Sequence, residues 1–133
     1  MSGDLPKHYF RIRDNGATVF RVDTENRQRR IDMDQIAVVN LNKDEIRPHG
    51  ERELNAEDEA AIRAWMSERK TLLAMREIDD IHRAIDHLNQ TAQWAQARAS
   101  QDQLEAVTDA LLLAMHDLRT VLVRKKADRL SGR

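Results

Sequence analysis

Asp79, His82 and Asp86 stand three and four residues apart in "EIDDIHRAIDH", a spacing that places two carboxylates and an imidazole on one face of a helix. With His116 at about the same level on a returning helix, such a set could hold zinc, manganese or iron inside a bundle. The pattern is a weak one. Di-iron bundles repeat Glu-x-x-His, whereas this chain has a single Asp-x-x-His and no second copy. Histidines flanked by Asp and Arg on a charged helix are usually solvated or salt-bridged, so the expectation is no metal and no cofactor.

Other chemistries find less support. There is no Gly-rich phosphate loop, nucleophile elbow or metalloprotease helix motif. The absence of cysteine excludes thiol catalysis, thiolate metal sites and disulfides, and fits a reducing compartment. A non-enzymatic protein is expected.

Arginine offers a different kind of surface. In "HYFRIRDNGATVFRVD", Tyr9, Arg11, Arg13 and Arg21 fall on one side of a β-ribbon, where guanidinium groups could lie on phosphates and the ring could stack on a base. Arg27, Arg29 and Arg30 in "RQRR" extend that patch into the following loop. The competing reading is a solvated sheet face whose arginine stems cover apolar neighbours. Residues 1–50 hold nine basic and eight acidic side chains, a balance unlike that of a dedicated nucleic-acid-binding domain. The surface is expected to take a protein partner, with nucleic acid as the alternative. Trp94, placed by its spacing away from the helical seam, is a second candidate anchor for a partner.

These residues need elements to position them. "DNG" between aromatic and β-branched runs signals a hairpin. A three-residue loop, Asp14 to Gly16 with Gly16 as a left-handed bulge, gives an inner face of Phe10, Ile12, Thr18, Phe20 and Val22. Asp32 and Gln35 resemble a capping box, and Met33, Ile36, Ala37 and Leu41 follow at helical spacing, so a short helix is expected over 33–41. The β-branched run "IAVVNL" is the argument for a third strand there instead. "EIRPHG" reads as a short extended segment ended by Pro48 and Gly50.

Two long helices follow, over about 55–98 and 101–126. Asn55 caps the first and acidic residues fill its opening turn. Ala61, Ile62, Trp65, Met66, Leu72 and Leu73 mark one apolar face, and the phase shifts before Ile78, Ile81, Ile85, Leu88, Ala92 and Ala95. The first part should therefore pack on the ribbon and the second on another helix. Ser100 and Gln103 form a capping box at the start of the second helix, and a basic tail closes the chain.

The fold expected is α+β: an N-terminal β-hairpin with a short helix and extended segment, then a long antiparallel helical hairpin. Residues 1–53 form a small β-rich module packed on the helices of 54–133, as one folding unit. The last helix carries Leu104, Leu111, Leu112, Leu113, Met115, Leu118 and Leu122, an apolar stripe wider than one neighbour can cover. A homodimer through this helix is expected. The net charge of −1 and the charged fraction of 34% describe a folded, well-solvated chain without a global field toward DNA or lipid. No segment has the length and apolarity of a membrane span or signal peptide, and a cytoplasmic location is expected.

Overall fold

The computed structural model describes residues 5–23 and 31–132. Four strands, β1 (His8–Arg13), β2 (Gly16–Asp23), β3 (Asp32–Asn40) and β4 (Glu45–Pro48), precede two helices, α1 (Ala56–Ala97) and α2 (Gln101–Leu130). The strands form one antiparallel meander in the order β1-β2-β3-β4. The α+β class and the helical hairpin are thus as the sequence indicates. Compact packing divides the chain into two units between Asp79 and Asp80, within α1.

In the first unit, the β1–β2 turn has two residues, Asp14 and Asn15. Arg13 pairs with Gly16, Ile12 with Ala17, Phe10 with Val19, Tyr9 with Phe20 and His8 with Arg21. The loop is one residue shorter than expected, and that slip exchanges the faces of β2. Ala17, Val19 and Arg21 now share the side of Phe10 and Ile12. Thr18 and Phe20 join Tyr9 and Arg11 on the opposite side.

Size explains the exchange. Ala17, Val19 and Ala37 are small and fully buried, which admits Ile62 and Met66 of α1 close to the sheet. Phe20 is buried from the other side, beneath the Arg11 guanidinium 4.5 Å from its ring centroid and beside Tyr9. Gly16 fixes the register without a positive φ. A Cβ there would lie 1.9 Å from the Val39 carbonyl oxygen.

Residues 32–40 are a strand, correcting the short helix expected over 33–41. The cause is a register shift, where Val19 pairs with Ala37 but Phe20 with Gln35. The extra residue, Ile36, lets two consecutive side chains, Ile36 and Ala37, enter the core. That doublet breaks the two-residue alternation and imitates helical spacing. The expected capping residues serve the sheet instead: Gln35 Nε2 lies 3.1 Å from His49 Nδ1. A turn with Asp44 at φ 53 leads into β4, and Gly50 follows at φ 58.

The core joins Val19, Ile36, Ala37 and Val39 of the sheet to Ile62 and Met66 of α1, as the first apolar phase of that helix requires. Phe10 stacks on Trp65 with ring centroids 4.8 Å apart and planes within 2°. Replacing Phe10 with leucine keeps most of the buried volume and removes the stacking. A loss of about 1 kcal/mol is expected, read from the midpoint of urea denaturation.

Both helix starts are capped as the sequence indicates. Asp58 N–H donates to Asn55 Oδ1 at 2.7 Å, and Asn55 N–H donates to Asp58 Oδ2 at 3.2 Å. Ser100 and Gln103 form the same reciprocal arrangement at α2. α2 continues to Leu130, so most of the residues expected as a tail beyond 126 are helical.

Candidate functional site

The most enclosed polar group of the first unit is Asp58, 2% exposed at the start of α1. His8 and Arg21 are cross-strand partners on the helix-facing side of the sheet, so both reach it. His8 Nε2 lies 2.8 Å from Asp58 Oδ1, and Arg21 donates through its terminal nitrogen to Oδ2 and more loosely through Nε to Oδ1 at 3.4 Å. Burial pushes the carboxyl up, but hydrogen bonds from Arg21, His8 and the Asn55 backbone outweigh it and hold the group down at about 2. Arg21 is held above its ordinary value by the same hydrogen bond.

Arg21 was expected on the open face with Tyr9, Arg11 and Arg13. The one-residue slip in register redirects it to Asp58. This cluster joins residues 37 and 50 positions apart, and the only sequence signal for it is the Asn55/Asp58 capping pair. A cleft of about 450 Å³ adjoins it, lined by Leu5, Lys7, Val22, Asn55 and Glu57 among others. Its lining contains no hydroxyl or thiol nucleophile. With every oxygen of Asp58 occupied, the cluster is suited to clamping α1 onto β1 and β2 rather than to proton transfer.

On the opposite side of the sheet, Tyr9, Arg11 and Arg13 are exposed together as expected. Two of their guanidinium groups are already engaged: Arg11 stacks on Phe20, and Arg13 Nε donates to Thr18 Oγ1 at 2.8 Å. Arg27, Arg29 and Arg30 lie outside the described residues.

In the second unit, Asp79, His82, Asp86 and His116 are not gathered: among the described residues no three His, Asp or Glu side chains form a set that could hold a metal ion. Asp80 is paired with Arg83, and His116 Nδ1 lies 3.7 Å from Asp117 with both side chains largely solvated. Trp94 does not face away from the neighbouring helix. It is half-buried and lines a groove of about 660 Å³ between α1 and α2 with Thr91, Arg98, Val107, Ala110 and Leu111. On α1 the groove is lined by His87, Thr91, Trp94 and Arg98, of which Thr91 and Trp94 are half-buried, whereas Leu88, Ala92 and Ala95 of the expected seam are exposed.

Ile81 and Ile85 are 58% and 48% exposed, with Leu88 close behind. α2 has no buried residue at all. Leu112 is 58% and Met115 51% exposed, and Leu111, Leu113, Leu118 and Leu122 are also open; Leu104 alone of the predicted stripe is half-buried. No helix is long and apolar enough to cross a membrane among the described residues. No family model matches the chain, and comparison with curated proteins and with solved structures found no significant match.

Proposed function

We propose that the chain is a non-enzymatic interaction protein of the cytoplasm that homodimerises through its helical hairpin and presents its sheet module to a protein partner. The observation carrying this reading is the position of the exposed apolar side chains. Counted at 100° per residue from the groove-lining positions, Ile81, Ile85 and Leu88 sit about 130° around α1, and Leu112, Met115 and Leu122 sit about as far around α2. Because the helices run in opposite directions, equal rotations open both stripes onto the same side of the hairpin.

Ile81, Ile85 and Leu88 of α1 and Leu112, Met115, Leu118 and Leu122 of α2 are each between 44% and 59% exposed. Contiguous apolar patches of this kind mark association surfaces in soluble proteins.

Light-scattering mass during size exclusion tests the reading, and a dimer is expected. Leu112→Glu with Met115→Glu should give a folded monomer of half that mass, since both positions are open within one chain and glutamate costs little there. A wild-type monomer, or an unchanged dimer mass in the variant, would refute it.

A further inference from the structure

The charges of α2 are arranged in blocks. Its first ten residues hold Asp102, Glu105 and Asp109 and no base, whereas its last twelve hold Arg119, Arg124, Lys125, Lys126 and Arg129 with Asp128 as the only acid. Between the blocks, Leu111, Leu112, Met115 and Leu118 are exposed. The order acidic, apolar, basic is complementary to itself only when reversed.

Resting on the dimer reading above, we propose that a second copy of this chain covers the open face in antiparallel orientation, α2 against α2, with the two-fold axis passing near Met115. The apolar centre then packs on itself. Glu105 then lies level with the partner's Lys125 and beside the partner's Lys126, and the relation repeats at the other end because the interface is isologous. A parallel arrangement would set acid against acid and base against base, which is repulsive on neighbouring helices. The helix dipoles also oppose one another favourably only in the antiparallel form. Since the exposed stripe of α1 shares the same side, Ile81, Ile85 and Leu88 complete a four-helix bundle.

The absence of native cysteine makes the orientation directly measurable. Gln101→Cys and Arg129→Cys, each spin-labelled in the full chain, place one probe fourteen residues either side of Met115. With a rise of 1.5 Å per residue, pulsed dipolar spectroscopy should give a separation of about 42 Å between copies for either variant. A parallel dimer would instead bring equivalent labels to about 10 Å, the spacing of packed helices. A dimer by mass without the long separation at both sites overturns the orientation and leaves the dimer standing. A monomer by mass overturns both.

Discussion

Replacing Asp58 with alanine is expected to destabilise the chain by about 3 kcal/mol, the size of effect seen when one partner of a buried ion pair is removed. Asp58 is the shared acceptor for His8 from β1, Arg21 from β2 and the Asn55 backbone from the helix start. Its loss strands a buried imidazole and removes half of the α1 cap at once. Arg21 is 40% exposed and can turn to solvent, which keeps the cost at the lower end of the range. Urea denaturation at fixed protein concentration measures the loss, since the proposed association would add to apparent stability. A change below 1 kcal/mol would show that the clamp does not secure α1.

The same carboxylate makes stability depend on pH. Its folded-state value is depressed from 3.8 to about 2, so the folded state holds its proton less tightly than the unfolded chain. The contribution is fully present above the unfolded value and declines as pH falls through about 4 toward 2. Integrated over that shift it amounts to about 2 kcal/mol. Asp58→Asn removes the titration, so the stability gap between wild type and this variant should narrow progressively from pH 5 to pH 2. A gap that stays constant would place the depressed group elsewhere.

Gly16→Ala is expected to cost about 3 kcal/mol, the upper part of the range for forcing atoms into a packed site. The added Cβ meets the Val39 carbonyl oxygen at 1.9 Å and its carbon at 2.7 Å. Both are backbone atoms within the β2–β3 ladder, so no side chain can swing away and the strands themselves must part. Gly50→Ala is the instructive comparison. Gly50 has φ +58 with nothing within 4 Å of the new methyl, and the cost there should be about 1 kcal/mol, that of a left-handed residue alone. Equal losses at the two positions would mean that the β2–β3 spacing yields easily.

The elements that could be read in the sequence are those specified by neighbouring residues. Asn55, and Ser100 with Gln103, mark the two helix starts because a cap is completed within one turn. β3 was obscured by the same logic: the Ile36–Ala37 bulge gives a strand the local pattern of a helix, and only its pairing with β2 distinguishes them. Phe20 misled for a related reason. A large aromatic suggests the core, but here the helix-facing side needs Ala17 and Val19, and the ring is covered by Arg11 instead. The destination of Arg21 depends on one residue of turn length and a carboxylate 37 positions away. Trp94 was misplaced because an apolar run offers several helical phases, and the choice among them is made by the facing helix.

The strand order of the sheet also governs how fast the protein can form. Each strand pairs only with its neighbour in sequence, and α1 to α2 takes a three-residue connection. Few long loops must close before contacts reward them, which is the condition for rapid folding. In the proposed dimer the slow event is the meeting of two chains. Refolding from denaturant should show a fast phase, indifferent to dilution, in which Trp65 stacks on Phe10, followed by a second phase whose rate rises in proportion to protein concentration.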